Sequence, residues 1–162
     1  QARFKIQNTL AESYYKNGID VLSFLFSANK GGQFGELKKV ASGGELSRIM
    51  LAIKKVLSEN SHLPTIIFDE IDSGVSGEIS NKMAHIMSQM SQQMQVITIT
   101  HLPQIAAKGN QHYKVYKEEV NNTTTTNLKQ LSKDERIVEI AEMLSGKNIS
   151  DSALTHAREL LN

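Results

Sequence analysis

An apolar run that ends in two adjacent carboxylates constrains the fold of this chain more than any other feature. Residues 65–68 read Thr-Ile-Ile-Phe, and Asp69 and Glu70 follow them directly. Such a run predicts a central strand that is covered on both faces, as in the parallel sheets of α/β proteins. Because ligands bind at the carboxyl ends of these strands, the acid pair marks a candidate functional site.

Helical and strand-like patterns alternate along the rest of the chain. Helices are predicted over residues 46–57, 78–94 and 132–144, from Pro103 to an end at Gly109, and after a cap at Ser150 or Asp151. Strands are predicted near residues 4–10 and over 113–117 and 128–131, and buried strands over 19–27 and 96–100. A turn is predicted at Asn17-Gly18 and a polar tip over 121–127. Methionines on one side of the 78–94 helix are interpreted as packing on the sheet rather than as a partner surface. The alternation predicts an α/β fold with a mainly parallel central sheet, in a single domain over residues 1–162.

Composition excludes some classes of protein. The 162 residues carry a net charge of +1, with 40% hydrophobic and 22% charged residues, as in an ordinary soluble domain. This balance gives no indication of nucleic-acid binding. The lack of cysteine excludes disulfides and thiolate metal sites, and no apolar run approaches the roughly 20 residues that span a bilayer. A cytoplasmic protein is expected, and a start at Gln1 suggests a piece of a longer one.

Ser42, Gly43 and Gly44 precede a predicted helix and form a candidate phosphate site. Two glycines let the backbone approach a phosphate closely, and the helix behind them directs free N–H groups and its positive dipole end toward the anion. The Ser42 hydroxyl adds a further donor. A glycine-bearing loop before a helix is also a common structural feature, so this segment alone indicates function only weakly.

The acid pair and one histidine predict a nucleotide and magnesium site at the sheet edge. Asp69 can hold magnesium through water, and Glu70 can orient or deprotonate the attacking water. His101 follows the strand predicted over residues 96–100, so it lies at the same edge if the two strands are neighbours. A neutral imidazole there can donate a hydrogen bond to a γ-phosphate. The remaining histidines are interpreted as surface or packing residues: His62, His85, His112 and His156.

The order and spacing of these segments resemble the ABC-type ATPase heads of the SMC-like group. Residues 42–45 are similar to the signature motif, residues 66–70 to Walker B, residues 72–77 to the D-loop, and His101 to the switch histidine. Residues 40–49, 68–77 and 100–107 and the C-terminal tail are more specifically similar to a bacterial DNA double-strand-break repair ATPase of that group. The chain departs from the wider ABC pattern at Ala41, Glu45 and Ser76, where leucine, glutamine and aspartate are usual.

The resemblance implies an ATPase head lobe and assigns a role to each motif. It implies that Glu70 and His101 are catalytic, that Asp69 binds the metal, and that the cofactors are ATP and Mg²⁺. The implied nucleotide contacts are Ser42, Gly43, Gly44, Glu45, Asp72, Ser73, Gly74 and Ser76. In such heads two copies sandwich two ATP molecules, and the signature residues of one copy reach the γ-phosphate bound by the other.

The resemblance also implies that part of the head is missing here. Heads of this group are assembled from both ends of one polypeptide, and neither a Gly-x-x-x-x-Gly-Lys-Ser/Thr loop nor a heptad run occurs in these 162 residues. The expected partners are therefore the N-terminal half of the same head, a second head and DNA, in a nucleoid-associated protein of double-strand-break repair and recombination that has no membrane partner. The lobe alone is expected to hydrolyse ATP at background rate. Alternatives are a head lobe of another SMC-like or ABC ATPase and a nucleotide-dependent dimerisation module without hydrolysis.

Overall fold

The computed structural model describes residues 2–60, 63–120 and 123–162. His62 and the first two residues of the predicted polar tip lie outside the described residues. The chain divides into two compact units, Gln1–Lys54 and Lys55–Asn162, so the single domain over residues 1–162 stays a prediction. None of the helices in the described ranges has the length and apolar character that a membrane span requires.

The first unit is built on a long β-hairpin. Its elements are β1 (Arg3–Tyr15), β2 (Gly18–Ser27), β3 (Gly35–Glu36), α1 (Leu37–Val40) and the first part of α2 (Gly43–Asn60). β2 pairs antiparallel with both β1 and β3. The predicted turn is confirmed, because Tyr15 pairs with Gly18, whose φ of +111° favours glycine.

The strand predicted over residues 19–27 is correct in type, but most of it is not buried. Only Phe26 and Ser27 are buried in β2, whereas Leu22 and Phe24 are 58% and 65% exposed. Apolar β-formers favour a strand through local propensity, but burial needs a second layer of structure. Within the first unit the chief neighbours of β2 are β1, β3 and α1, which leave much of its surface open.

The second unit begins with a parallel strand pair and its crossover helix. β4 (Thr65–Asp69) and β5 (Gln95–Ile99) are parallel neighbours, and α3 (Glu78–Met90) lies between them in sequence. This βαβ unit confirms the α/β fold class. The predicted parallel sheet is limited to this pair, since the other two sheets of the described residues are antiparallel.

The parallel pair is packed on one face. Phe68 is 5% exposed, and on the same face the Thr98 hydroxyl lies 3.7 Å from Sδ of Met87 in α3. Met83, Met87 and Met90 are all buried, which confirms that the methionines of α3 pack inside the fold. Side chains alternate along a strand, so the neighbouring positions point to the opposite face. That face carries exposed isoleucines, namely Ile67, Ile97 and Ile99. The predictions that residues 65–68 are covered on both faces and that residues 96–100 are buried are therefore wrong for this chain, because α3 covers only one face.

The rest of the second unit is helices and one hairpin. Its elements are α4 (Pro103–Lys108), β6 (Tyr113–Val120), β7 (Thr123–Gln130), α5 (Lys133–Ser145) and α6 (Asp151–Leu161). The predicted ends at Gly109, the Ser132–Glu135 capping box and the Ser150 cap are confirmed. The predicted polar tip over residues 121–127 is wrong from Thr123 onward, because β-branched threonines favour a strand and extend β7.

A small core joins α4, α5 and α6. Its buried members are Ala107, Ile140, Ala141, Ala153 and Ala157. Arg136 in α5 fastens the end of α4, since its guanidinium donates hydrogen bonds to the carbonyls of Ala107, Gly109 and Asn110 at 2.7–3.3 Å. Lys114 bonds to Glu139 and Glu142, and Lys129 bonds to Glu135, so ion pairs tie the hairpin to α5.

Candidate functional site

The acid pair and His101 lie at the same edge of the sheet, at the carboxyl ends of β4 and β5. In the β4–β5 register Asp69 lies beside Ile99, so the residues that follow each strand emerge next to one another. The Glu70 N–H donates a hydrogen bond to the carbonyl of Ile99 at 3.1 Å, which continues the pairing one residue beyond β4. The expectation that the two strands are neighbours is confirmed. Asp69 and Glu70 are both exposed, so their carboxylates are accessible to a ligand.

Glu70 has an unusual backbone conformation. Its φ is +46°, and no other described non-glycine residue has a positive φ. Left-handed backbone costs a side chain roughly 1–2 kcal/mol. The Ser73 N–H donates to the Glu70 carbonyl at 3.1 Å, so a tight turn holds Glu70 in this state. Strain of this kind is concentrated at functional positions, because there a side chain must be held in a particular direction.

Asp72 belongs to this turn and is buried. Its side chain is fully buried, and its Oδ2 accepts a hydrogen bond from the Thr100 hydroxyl and lies 4.0 Å from Nδ1 of His101. The Thr100 hydroxyl in turn accepts from the Leu102 N–H at 3.0 Å. Among the described residues Oδ1 of Asp72 is buried and has no hydrogen-bond partner. The predicted nucleotide contact of Asp72 stays a prediction, and in this structure its carboxylate faces Thr100 and His101.

Thr100 was not among the predicted site residues. The sequence carries a signal for it, because Thr98 and Thr100 alternate with apolar residues and place hydroxyls on the covered face of β5 and its continuation. That signal points to a polar partner inside the fold, and the partner is found only when the loop after β4 brings Asp72 into reach.

The rest of the D-loop-like segment is exposed except for one buried residue, Val75. Ser73, Gly74 and Ser76 are exposed, whereas Val75 is 6% exposed and its N–H donates to the Asp72 carbonyl at 3.1 Å. Gly74 has a φ of +71°, which glycine adopts without strain. The predicted nucleotide-binding residues of this segment are therefore accessible apart from Asp72.

The signature-like segment begins α2 in the first unit. The helix starts at Gly43, three residues before the predicted start at Leu46, because Ser42 and Glu45 form a reciprocal cap. The Glu45 N–H donates to the Ser42 hydroxyl, and the Ser42 N–H donates to the Glu45 carboxylate at 2.8 Å. The Ser42 hydroxyl also donates to this carboxylate at 3.0 Å. The hydrogen bonds that the Glu45 carboxylate accepts from the Ser42 N–H and hydroxyl lower the pKa of Glu45. A charged Glu45 therefore holds the first turn.

Gly43 is not required by the packing of this chain. A β-carbon built there meets no described atom within 4 Å, and its φ is not in the left-handed region. Glycine near a helix start costs stability relative to alanine and leaves the backbone N–H groups uncovered. The position therefore fits close approach of a ligand to the backbone.

Asp69 is the candidate magnesium ligand, and the other described histidines are surface or packing residues. Within the described ranges no three His, Asp or Glu side chains form a metal cluster. Mg²⁺ commonly takes one or two carboxylates together with water and substrate phosphates, so the exposed Asp69 carboxylate fits that mode. His85 and His156 are exposed, as predicted. His112 is half-buried, and burial lowers its pKa, which agrees with a packing role.

Comparison by sequence connects the chain with DNA repair proteins. No protein-family model matches it. It is 47% identical over 146 residues to the DNA repair protein RecN of Bacillus subtilis, covering 90% of this chain and 25% of that protein. It is 41% identical over 162 residues to RecN of Haemophilus influenzae, covering 99% of this chain and 29% of that protein. The chain thus spans between a quarter and three tenths of the length of these relatives.

Solved structures of SMC head domains share the fold of this chain. The chain superimposes on an Smc head domain with a coiled coil and joint from Pyrococcus yayanosii with a TM-score of 0.63 at 19% identity, covering 88% of this chain and 26% of that one. For a chain from a study of SMC ATPases the TM-score is 0.57 at 18% identity, with 86% and 82% covered. This chain is therefore similar to a segment of the RecN DNA repair proteins, and its fold is that of SMC head domains.

Proposed function

We propose that this chain is the C-terminal lobe of an ATP-hydrolysing head in a RecN-like DNA repair protein. The observation that carries the proposal is the shared edge of β4 and β5, where Asp69, Glu70 and His101 emerge together. The 47% identity to a DNA repair protein, RecN, supports the assignment to DNA repair. Double-strand breaks as the substrate and a role in recombination are part of the proposal. Such a protein would act on the nucleoid in the bacterial cytoplasm.

Each residue at this edge has a separate role in the proposed hydrolysis of ATP. Magnesium bound with the nucleotide would neutralise charge on the phosphates, and the exposed Asp69 carboxylate would hold it through water. Glu70 would orient or deprotonate the attacking water, and its left-handed backbone turns its side chain away from the direction that the strand would otherwise give it. His101 would donate a hydrogen bond to the γ-phosphate. Ser73, Gly74 and Ser76 are exposed beside these groups and complete the proposed nucleotide contacts.

The signature-like segment is proposed to serve a second head. Ser42, Gly43 and Gly44 lie at the start of an 18-residue helix, whose first N–H groups and dipole favour a phosphate. The open space at Gly43 supports direct approach of a γ-phosphate to the backbone. Glu45 holds this turn in place through Ser42. ATP would then join two copies of the head, and hydrolysis would release them.

The proposal requires a second polypeptide segment at each site. The 162 residues contain no Lys-bearing phosphate loop, so the β- and γ-phosphates lack most of their ligands here. The uncovered face of β4 and β5 offers a place for the N-terminal half of the head. Its exposed isoleucines, Ile67, Ile97 and Ile99, are the apolar surface that such a half would cover. The chain alone is expected to hydrolyse ATP at background rate.

The experiment compares ATP hydrolysis by the full-length protein with that of two charge-matched variants. Glu70→Gln removes the proposed base and should lower turnover by roughly 10²–10⁴-fold, while ATP still binds and holds two heads together. Glu159→Gln removes an exposed glutamate of α6 and should leave turnover unchanged. Equal turnover in the Glu70→Gln and wild-type proteins would contradict the role of Glu70.

The same experiment separates the alternative functions. ATP-dependent dimerisation of the wild-type protein without turnover would indicate a dimerisation module instead of a hydrolase. Robust magnesium-dependent hydrolysis by the 162-residue chain alone would contradict the need for the N-terminal half. Gly43→Ala tests the signature segment, because the vacant space predicts unchanged folding together with loss of the ATP-dependent dimer.

A further inference from the structure

We propose that Asp72 is a positioning residue for His101, which it directs by accepting a hydrogen bond from the Nδ1–H of the imidazole. The inference rests on the proposed function, since His101 is the group that would meet the γ-phosphate. It differs from the predicted role of Asp72, which was direct contact with the nucleotide. The carboxylate is fully buried and cannot reach a ligand outside the fold without rearrangement.

Burial of the Asp72 carboxylate costs free energy. A buried carboxylate is expensive unless hydrogen bonds or an opposite charge compensate it, and an apolar side chain of similar size is often more stabilising in such a place. Thr100 supplies one donor to Oδ2, and Oδ1 has none among the described residues. The carboxylate therefore retains accepting capacity that Thr100 does not use.

The imidazole of His101 is a hydrogen-bond donor close to the Asp72 carboxylate. Nδ1 of His101 lies 4.0 Å from Oδ2 of Asp72, and a side-chain movement of about 1 Å would bring it to hydrogen-bond distance. The His101 side chain is 65% exposed, so solvent leaves it room for that movement. The backbone beside it is fixed, because the Leu102 N–H and Asp72 both bond to the hydroxyl of Thr100.

A hydrogen bond to Asp72 would control the orientation and the protonation of the His101 imidazole. A carboxylate at Nδ1 keeps a proton on that nitrogen and fixes the plane of the ring, so that Nε2 is the nitrogen directed outward. A neutral ring protonated at Nδ1 has no second N–H, so His101 would donate from Nε2 to the γ-phosphate as the imidazolium, whose charge the Asp72 carboxylate stabilises. The ligand would therefore meet Nε2 of His101. Asp72 also belongs to the turn that carries Glu70, because the Ser73 N–H bonds to the Glu70 carbonyl and the Val75 N–H to the Asp72 carbonyl. The orientations of His101 and Glu70 are thus linked through one loop.

A double-mutant cycle in the full-length protein tests the inference. Asp72→Asn keeps the shape of the side chain and removes its charge; it should lower kcat for ATP hydrolysis by about 10-fold or more with little change in KM, since small misplacements of a catalytic group are costly. In a His101→Ala background the same substitution should cause no further loss. Equal losses in both backgrounds would overturn the proposal, because Asp72 would then act independently of His101.

A matched control and a second readout exclude a purely structural effect. Ser80→Ala removes another fully buried polar group, whose hydroxyl bonds to the Gly77 carbonyl at 2.6 Å, and should leave kcat unchanged. ¹⁵N NMR of the wild-type His101 ring needs no variant: a proton on Nδ1 supports the proposal, and a proton on Nε2 alone overturns it. If Glu70→Gln abolishes turnover while the cycle is additive, the proposed function stands and only the role of Asp72 fails.

Discussion

Replacing Glu70 by glycine is expected to stabilise the chain while it removes the proposed catalytic base. Glu70 has a φ of +46°, which is unfavourable for a residue with a β-carbon. Glycine has no such penalty, so the free energy of unfolding should rise by roughly 1–2 kcal/mol from this cause. Glycine also makes the unfolded chain more flexible, which lowers stability by roughly 0.5–1 kcal/mol. The difference predicts a net gain of about 0.5–1 kcal/mol in the free energy of unfolding for Glu70→Gly.

Glu70→Ala separates the backbone effect from the loss of the carboxylate. Alanine keeps the β-carbon and therefore the strain, so Glu70→Gly should be the more stable variant of the two. At Glu159, an exposed position within α6, the same comparison should have the opposite sign. There glycine should be less stable than alanine by about 1 kcal/mol, because the backbone is helical.

Urea unfolding of the four variants measures these differences. Thermal melting provides a check, since 1 kcal/mol shifts the Tm of a chain of this size by roughly 2–4 °C. If Glu70→Gly is no more stable than Glu70→Ala, the reasoning from backbone strain is refuted. In the full-length protein both variants should lose ATP hydrolysis, so that the stabilised variant is also an inactive one.

Three further predictions concern the second unit. Ile140 is completely buried, so Ile140→Ala should lower the free energy of unfolding by about 3 kcal/mol, whereas Val138→Ala, at a side chain 48% exposed, should lower it by less than about 1 kcal/mol. Arg136→Lys should cost about 2 kcal/mol in urea unfolding, because an ammonium cannot reproduce the fork of hydrogen bonds to the end of α4; an unchanged midpoint would contradict this. Hydrogen bonds from Lys129 and from the Ser132 backbone lower the pKa of Glu135 from 4.5 to about 2. Because the folded state has the lower pKa, the stabilisation is complete above pH 4.5 and is lost as the pH falls toward 2. The stability difference between wild type and Glu135→Gln should shrink over that range, and a constant difference would contradict the assignment.

Local sequence rules predicted the elements that local forces determine. The Asn17-Gly18 turn, the Ser132–Glu135 capping box and the Ser150 cap depend on residues a few positions apart, and all three are confirmed. The neighbouring positions of the two acid- and histidine-ended strands were also predicted, because parallel βαβ units place consecutive strands together. The prediction of a polar tip was wrong from Thr123 onward, because it considered only polarity. The threonines there are β-branched, which favours a strand, and they extend β7.

Long-range features could not be predicted from patterns along the chain. An apolar run such as residues 65–68 indicates that both faces of a strand favour burial, but it does not say whether the covering layer belongs to the same chain. The contact between Asp72 and Thr100 joins residues 28 positions apart and depends on how the loop after β4 folds back. The left-handed backbone of Glu70 likewise follows from that loop, since glutamate itself has no preference for it.

The uncovered face of the β4–β5 pair makes the stability of this unit depend on its surroundings. Ile67, Ile97 and Ile99 are 62%, 42% and 53% exposed, so any polypeptide that packs on them removes apolar surface from water only in the folded state. Such binding raises the free energy of unfolding in proportion to the logarithm of the concentration of the covering polypeptide once its sites are nearly filled. The melting temperature of the chain is therefore a measure of occupancy at that face, and a titration of melting temperature reports the affinity of whatever covers it.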